Sequence, residues 1–454
     1  MAKELKKFAH PDYVYHLPDY QKIRDCFQGE RAVKDATIRY LPRLKGQTNE
    51  DYDNYRIRAL FFPITGKTVT SMVGLATAKP PKVKAPEIMA PYFKDTELSN
   101  QFTESYVSTF TEVVLMGRYG VLIDAAIDGS QPVMCPYIAE NIVNWRIDEN
   151  GIVRMLLLRE YVHVPGKEKF EINCNTRYRH CYLDANDIYT VEVLDEDMET
   201  ISPPIQPSFS GSIIDFIPWV PYGASGIHAQ VDKPPMLDIS TINISHYLTS
   251  ADLEWGRHIV GLPTPVVSGV DTATNLHIGG TKAWILPTSD AKAYYLEFLG
   301  QGLGSLETAM KEKVGLMASI SARLIDSSSR GSEAAETVRL RYMSESASLI
   351  HIISAVENGT VLLYNMLSKL LKTGEEVTLT FSREILGIGI TFGDLSVLFE
   401  AYLNNSLSKE SLLYNLRRLD AVDPNRTDDQ ELAAIKEPVK PEVIKPAAPA
   451  PTKQ

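Results

Sequence analysis

The stretch that decides the fold runs from Leu237 to Leu371, and from Ser305 onward it is SLETAMKEKVGLMASISARLIDSSSRGSEAAETVRLRYMSESASLIHIISAVENGTVLLYNMLSKLL. Its pattern predicts a helix, a short β-rich excursion, a second helix, a Ser/Gly loop and a very long helix. The second helix, residues 305–324, has an apolar stripe formed by Leu306, Met310, Met317, Ile320 and Leu324. Its opposite side carries Lys311 and the small residues Gly315, Ala318 and Ala322, which permit close approach of another helix.

The long helix follows a run of loop-forming residues. Residues 326–332 are DSSSRGS, and small polar residues with glycine interrupt a helix. From Glu333 to Leu371 the spacing of apolar residues is helical again. An uninterrupted helix of that length would span about 58 Å at 1.5 Å per residue, which is longer than a small domain is wide.

The first helix of the stretch is expected to begin at Asp238, which follows Pro234-Pro235 and has the chemistry of an N-cap. A stripe at helical spacing then continues to Pro263, formed by Ile239, Ile242, His246, Leu253 and Val260. The excursion after Pro263 is predicted to contain two or three short strands, near Gly279-Gly280, residues 284–287 and residues 293–298.

The sequence before this stretch mixes helical and strand patterns. Residues 12–55 predict short helices and loops on a surface, and helices are expected at 61–78 and 98–116. Strands are expected at 121–123, 145–147, 154–158, 161–164, 189–194 and 213–219, with a break at Pro203 to Pro207. This half is therefore predicted to be an α+β unit.

The sequence after the long helix predicts smaller elements. We expect a strand at 377–381, helices at 395–403 and 409–419 with Ser408 as the N-cap of the second, and a disordered Pro/Ala/Lys tail at 437–454.

Net charge limits the partners of this chain. The 454 residues carry a formal charge of −11, the wrong sign for a protein that grips nucleic acid through a basic groove. The start, MAKELKK, lacks the apolar core of a signal peptide, and we find no unbroken apolar window of membrane-spanning length. We therefore expect a soluble protein with no membrane partner.

The motifs that could carry chemistry are incomplete. Thr65-Gly66-Lys67-Thr68 resembles the end of a phosphate-binding loop, but position 61, where the first glycine belongs, is Phe61. Gly302-Leu303-Gly304 lacks the continuation of a dinucleotide loop, so we interpret it as a flexible joint.

The sequence gives equally little support for a metal site or for acid–base catalysis. Cys174, His180 and Cys181 lack a Cys-x-x-Cys element and a second ligand pair, and ordinary thiols in a strand region are the alternative. His246 and His258 suit a core or interface role better than catalysis. We expect no active site, no cofactor, no metal and no enzymatic activity.

Five short motifs occur in order between residues 52 and 265. They are YDNYRIR at 52–58, FFPITGKTV at 61–69 followed by Gly74 and Lys79-Pro80-Pro81, GRYGVLID at 117–124, NIVNWR at 141–146, and Ser245-His246-Tyr247 through GLPTP at 261–265. Together they resemble phage portal proteins, in particular a portal-like phage family often described only as a domain of unknown function.

The resemblance implies an elongated α+β portal fold with an α/β wing, a two-helix stem, a small β-rich clip, a long helix and a helical crown. The implied regions are a wing at 1–236, the first stem helix at 237–261, the clip at 262–304, the second stem helix at 305–324, a tunnel loop at 325–333, the long helix with a returning wing strand at 334–394, the crown at 395–436 and the tail at 437–454.

The same resemblance implies partners and a location. Portal subunits form a homo-oligomeric ring, typically a dodecamer, at one vertex of the virion capsid, after assembly in the host cytoplasm. The implied partners are the major capsid protein, the large terminase subunit, the head-tail connector or adaptor, and double-stranded DNA that passes through the channel during packaging and ejection.

A channel that moves DNA must avoid binding it tightly, and an acidic subunit with a few basic residues meets that requirement. On the template of the resemblance, the phosphate-near candidates are Arg330, Ser328 and Ser329 in the tunnel loop and Lys311 and Arg323 in the second stem helix. A solvated or subunit-bridging role remains open for each basic residue. Gly315, Ala318 and Ala322 are the candidates for stem packing. Lys313 lies on the apolar face, so we expect an interface partner or a snorkelling side chain.

Two other classes of protein stay open. A different virion structural protein, such as a minor head protein or head-tail adaptor, would equally lack catalytic residues. A nucleotide-dependent packaging enzyme would need the glycine that Phe61 replaces and an acidic strand end for magnesium.

Overall fold

The computed structural model describes residues 7–95, 101–125, 131–262, 264–269, 290–296, 300–325, 335–383, 399–404, 406–418, 422 and 430. The chain divides into two compact units, Met1–Arg383 and Glu384–Gln454. The predicted strands near Gly279 and at 284–287, the Ser/Gly loop at 326–332 and the tail at 437–454 lie outside the described residues.

The helices within the described ranges are numbered here in chain order. They are α1 (Pro11–Gln28), α2 (Glu30–Asp35), α3 (Asn49–Arg58), α4 (Ile64–Ala76), α5 (Gln101–Met116), α6 (Leu237–Gly261), α7 (Leu303–Ile325), α8 (Ala335–Leu370) and α9 (Lys409–Arg418). Helix α9 belongs to the second unit, in which residues 399–403 are also helical.

The strands form several antiparallel sheets. They are β1 (Lys82–Lys84), β2 (Arg118–Asp124), β3 (Val133–Ile138), β4 (Ile142–Ile147), β5 (Val153–Pro165), β6 (Ile172–Leu183), β7 (Tyr189–Leu194), β8 (Thr200–Ile205), β9 (Ser208–Phe209), β10 (Ser212–Ile213), β11 (Trp219–Gly223), β12 (Thr264–Ser268), β13 (Lys292–Leu296) and β14 (Thr378–Thr380). The largest sheet has the order β4-β5-β6-β7-β8, and a second has the order β11-β2-β3. The smaller pairs are β1 with β14, β9 with β10, and β12 with β13. The predicted α+β class is confirmed.

Helix α1 corrects the expectation of short surface helices and loops at the start of the chain. It is 18 residues long, and it buries Tyr13, Tyr20, Ile23 and Cys26. Tyrosine supplies a large apolar ring and a polar tip, so a tyrosine-rich helix can enter a core although its sequence looks polar. Its central residue Pro18 is accommodated within the helix.

The largest sheet differs from its predicted strands in a similar way. The strands expected at 154–158 and 161–164 are one 13-residue strand, β5, which pairs along its length with β6. The expected break at Pro203 is wrong, because Pro203 and Pro204 lie within β8. Strand β8 is at the edge of the sheet, where a missing N–H is tolerated.

Helix α8 is a core element along its second half. Leu349, Ile353, Val356, Leu363 and Leu367 are all buried. Residues Ala347–Leu370 are long and apolar enough to cross a membrane, but half of the most apolar window is buried inside the protein. Packing in the core therefore accounts for its composition.

A buried ionic cluster fixes α1 against α5. Both carboxylate oxygens of Glu112 accept hydrogen bonds from Arg24, at 2.7 Å, and both of Glu140 accept further bonds at 2.7 and 2.8 Å. Burial alone would lower the pKa of Arg24, but these hydrogen bonds raise it above its ordinary value. The guanidinium is therefore charged at any pH at which the protein folds.

Replacing Arg24 tests how much this cluster contributes. Arg24→Ala leaves two nearly buried carboxylates without their cation, so the free energy of unfolding should fall by about 3 kcal/mol. Urea unfolding followed by tryptophan fluorescence measures the change. The matched control is Arg31→Ala, whose side chain is 95% exposed beside Asp35 and whose loss should change little. Equal effects of the two variants would contradict the assignment.

Candidate functional site

Helices α6 and α7 form an antiparallel pair that is tied at two levels. Near one end, Arg257 of α6 donates to Glu307 of α7 at 2.8 Å. Near the other, the ammonium of Lys313 donates to the carbonyl oxygen of Ser245 at 3.0 Å and to the hydroxyl of Thr249. Low residue numbers of α7 face high numbers of α6, so the chain reverses direction between them.

Strands β12 and β13 continue this pair beyond the helix ends. They pair in register from Thr264 opposite Leu296 to Ser268 opposite Lys292. The predicted strand at 293–298 is thus observed as Lys292–Leu296. A helix, a two-stranded extension and a returning helix therefore occupy the range in which stem and clip were expected.

Glycine allows close contact where the two helices meet the excursion. A Cβ on Gly256 would lie 2.6 Å from the Cδ2 atom of Leu303. Gly300 has φ +61°, and a Cβ there would lie 3.3 Å from Val260. Gly300 therefore supplies the left-handed backbone just before α7 begins. The joint expected at Gly302-Leu303-Gly304 lies earlier in the chain, because Leu303 and Gly304 already belong to α7.

Helix α6 is held in the core by polar contacts that the sequence did not lead us to predict. The hydroxyl of Thr65 donates to the side-chain oxygen of Asn243 at 3.0 Å, and the amide of Asn243 donates to the carbonyl of Phe62 at 2.8 Å. The hydroxyl of Ser250 accepts from the backbone N–H of Leu60 at 2.8 Å. The available signal was the spacing of small polar residues along α6, since Ser240, Asn243 and Ser250 recur at helical intervals.

The same contacts explain the Gly-Lys-Thr motif. Thr65 and Thr68 are buried, and the motif lies inside α4 rather than in a loop that could wrap phosphates. A Cβ on Gly66 would lie 3.1 Å from the carbonyl oxygen of Phe27, so glycine lets α4 approach α1. These residues pack the core.

The two faces of α7 differ as the pattern predicted. Met317 is fully buried, and Leu306, Met310 and Ile320 are partly buried. Lys311, Gly315 and Ala318 are exposed, together with Val314 and Leu316. A Cβ on Gly315 would meet no heavy atom within 4 Å. The small residues thus face away from the helices of their own chain.

Lys313 bridges α6 and α7 within one chain. Its side chain is partly buried beside His246, whose pKa is lowered by burial and by the positive charge of Lys313. For the contacts described, the interface partner that was expected for Lys313 is therefore helix α6 of the same chain.

Several predicted residues are not positioned by the structure. Ala322 and Arg323 belong to α7, but their side chains are outside the description, and Ser328, Ser329 and Arg330 lie outside the described residues. Only Lys311 of the phosphate-near candidates is seen, on the exposed face of α7.

A Ser-His-Asp cluster before α6 lacks the geometry of a catalytic relay. Nε2 of His228 lies 2.7 Å from the hydroxyl of Ser225, as a general base would. However, Nδ1 of His228 faces the carbonyl of Gln230 at 3.2 Å, and Asp232 accepts directly from Ser225. The Asp232 carboxylate also lies 3.5 Å from Nε2 of His228, on the same side of the imidazole as Ser225 rather than behind Nδ1. The cluster therefore fastens the turn that leads into α6.

The cysteine and histidine residues of β6 are also separated. Cys181 is fully buried next to the hydroxyl of Tyr189, and burial raises its pKa to about 12. His180 lies on the opposite face of the sheet and contacts Glu192 at 2.6 Å. Among the described residues, no group of three or more His, Cys, Asp or Glu side chains could hold a metal ion.

Comparison with protein families gives one match. The model of a family described as a domain of unknown function (DUF4055) matches residues 235–367, a range that begins at α6 and ends inside α8. No curated protein matches the chain.

Among solved structures, the chain is similar to a chain in the neck of an empty GTA particle computed with C6 symmetry, with a TM-score of 0.40, 13% identity, and 81% of this chain and 93% of that chain covered. It is also similar to a chain in the neck of a native GTA particle computed with C12 symmetry (TM-score 0.40, 12% identity, 86% and 98% covered) and to one in the virion of a native gene transfer agent particle (0.39, 12%, 86% and 99%). At these TM-scores the likeness supports no conclusion about function.

The contact of Lys313 can be tested against a lysine on the other face of the same helix. Lys313→Glu places a carboxylate, which cannot donate, beside the Ser245 carbonyl, so the free energy of unfolding should fall by about 2 kcal/mol. Lys311→Glu makes the same charge change at an exposed position and should leave stability within about 0.5 kcal/mol. Thermal unfolding compares the two, and an equal loss would argue against the bridge between α6 and α7.

Proposed function

We propose that this chain is a phage portal subunit, which forms a ring at one capsid vertex and surrounds the channel for DNA packaging and ejection. The observation that carries the proposal is the antiparallel pair α6 and α7, extended by the β12–β13 hairpin and followed by the 36-residue helix α8. At 1.5 Å per residue, α8 is about 54 Å long.

The exposed face of α7 supports assembly with further copies. Gly315 in the middle of a helix costs roughly 1 kcal/mol relative to alanine, and no contact among the described residues offsets this cost. The apolar side chains of Val314 and Leu316 are 38% and 54% exposed beside it. A neighbouring helix that covers Gly315 and Ala318 would explain both features, because small residues let two backbones approach.

The charge of the chain supports transport rather than tight binding of DNA. A formal charge of −11 opposes phosphate binding along the whole subunit. Lys311 is an exposed cation on α7, and Arg323 and Arg330 follow it in the sequence. Within the proposal, these residues make weak, sequence-independent contacts with passing phosphates, assisted by Ser328 and Ser329.

The proposal assigns a role to each region of the chain. Residues 1–236 form the wing with the strand after α8, α6 and α7 form the stem, 262–304 the clip, 325–333 the tunnel loop and 395–436 the crown. Within the same proposal the subunit occurs in a ring of about twelve copies in the virion. There it contacts the major capsid protein, the terminase large subunit and the head-tail connector.

The alternative function, a nucleotide-dependent packaging enzyme, loses its main support. Its phosphate-binding loop would have to come from Thr65-Gly66-Lys67-Thr68, which is part of α4 and has both threonines buried. Another virion structural protein, such as a minor head protein or adaptor, is distinguished by the shape of its assembly.

Electron microscopy of the purified chain tests the proposal directly. Negative-stain images should show rings with an axial hole, because the exposed face of α7 needs a neighbour on each subunit. Ala318→Phe adds an aromatic side chain to that face and should reduce the yield of ring-shaped particles. Ser319→Ala, at an exposed position on the same helix, should not reduce it. Particles without a central hole would contradict the proposal.

Arg330 tests the contact with DNA. Arg330→Ala removes one cation from the proposed tunnel loop, so packaging or retention of DNA should change while rings still assemble. Arg330→Lys keeps the charge and should behave like the unchanged chain. The measurement is the amount of nuclease-protected DNA in assembled particles, and equal packaging by Arg330→Ala would remove the idea.

A further inference from the structure

The β5–β6 hairpin ends in an exposed apolar tip. Its last strand pair is Pro165 opposite Ile172, and the turn between them carries Phe170. Phe170 is 86% exposed and Ile172 is 71% exposed. Isolated apolar side chains are common on protein surfaces, but two adjacent ones at the end of a projecting hairpin form a surface suited to a partner.

The tip is held in one conformation by its own backbone contacts. The carboxylate of Glu171 accepts hydrogen bonds from the N–H groups of Lys167, at 2.7 Å, and Glu168, at 3.1 Å. The N–H of Gly166 donates to the carbonyl of Glu171 at 2.7 Å. Since the turn is already ordered, a partner that binds it loses little conformational freedom.

Two lysines flank the aromatic ring of the tip. The ammonium of Lys169 lies 5.3 Å from the centre of the Phe170 ring, within the range of a cation–π contact. Lys167 is exposed two residues earlier. Lys167, Glu168, Lys169 and Glu171 are all exposed, so the formal charge of the tip is zero, with both ammonium groups at the surface and the carboxylate of Glu171 occupied by backbone N–H groups.

A groove with an apolar lining and an acidic rim lies on the same sheet. It has a volume of about 460 Å³ and lies between the outer part of the hairpin and the turn from β7 to β8. Its apolar lining consists of Val162, Val164 and Ile201, and its acidic rim consists of Asp195, Glu196 and Asp197. Arg177, which also lines it, is already paired with Glu160 at 2.8 Å, so the rim stays net negative.

The groove is not filled by the tip of the same chain. Phe170 lies beyond the last strand pair, whereas the groove begins at Val164 and continues back along the hairpin. The high exposure of Phe170 and the 59% exposure of Ile201 show that neither is covered.

We propose that the hairpin tip of one copy inserts Phe170 into the groove of the next copy, with Lys167 and Lys169 against Asp195, Glu196 and Asp197. The apolar parts of the two surfaces match, and the two ammonium groups of the tip are opposite in charge to the three carboxylates of the groove. Tip and groove are different surfaces, so the contact is head-to-tail, and such contacts form rings where the rotation between copies closes and open filaments where it does not. This inference rests on the proposed function only for closure of the ring, and it adds a second contact, far in sequence from α7.

Disulfide trapping in the full chain tests the pairing. In a Cys174→Ser background, Lys169→Cys together with Asp197→Cys should give a ladder of dimers, trimers and larger species on a non-reducing gel after mild oxidation. The single variant Lys169→Cys should give no ladder. Neither should Arg31→Cys with Asp197→Cys, since the exposed Arg31 lies on α2. A double variant that stays monomeric, or that only matches the Arg31 pair, would overturn the inference.

A mixture of two variants, each with one of the two surfaces altered, tests the direction of the contact. Phe170→Asp and Ile201→Asp should each weaken self-association by about tenfold or more, as expected for the loss of a central apolar anchor. Because each variant keeps one intact surface, an equimolar mixture should form 1:1 pairs by native mass measurement. Tyr15→Asp, at a residue that is 77% exposed on α1, is the control and should have no effect.

The outcomes separate this inference from the proposed function. Rings with an axial hole but without a ladder would leave the portal proposal standing and remove the hairpin contact. A ladder from a chain that forms no ring would leave the hairpin contact standing and remove the portal proposal. Sedimentation with anionic lipid vesicles that depends on Phe170, without a ladder, would assign the tip to a lipid surface and would also overturn the inference.

Discussion

The position of α6 is the constraint on which the rest of the structure depends. This helix contacts α1, α3, α4 and α7, so most of its circumference is covered by protein. Tyr247 and Ala251 belong to the core cluster that α1 and α3 also form. Burial of a polar side chain is costly without a hydrogen-bond partner, and Asn243 and Ser250 find theirs in the segment that leads into α4.

Because α6 is fixed, α7 has only one face to share with its own chain. Lys313 bonds to α6 and Met317 is buried, while Gly315 and Ala318 remain exposed. The division follows from the 3.6-residue period, which places residues two apart on different sides of a helix. The exposed side is where a second copy would pack, and the β5–β6 hairpin offers a further surface on a different part of the molecule.

Periodicity predicted the regular elements well and the tyrosine-rich and proline-containing ones poorly. The helix expected at 305–324 is observed as Leu303–Ile325, and the strand at 189–194 is observed as Tyr189–Leu194. The length and burial of helix α1 were missed because two of its four buried residues are tyrosines, and β8 was missed because prolines are permitted on an edge strand. Whether a strand is at an edge depends on its neighbours, which local sequence does not specify.

The sequence by itself determined the order of elements in the decisive stretch, the two-faced character of α7 and the incomplete phosphate motif, since all three depend on residue spacing along one chain. Only the tertiary structure decided that Lys313 bonds to Ser245, that Thr65 fills the core against Asn243, and that an acidic groove lies on the sheet whose hairpin carries Phe170. Each of these joins residues far apart in the sequence. Their proximity depends on how helices and sheets pack, and packing is set by the fit of whole surfaces rather than by any local pattern.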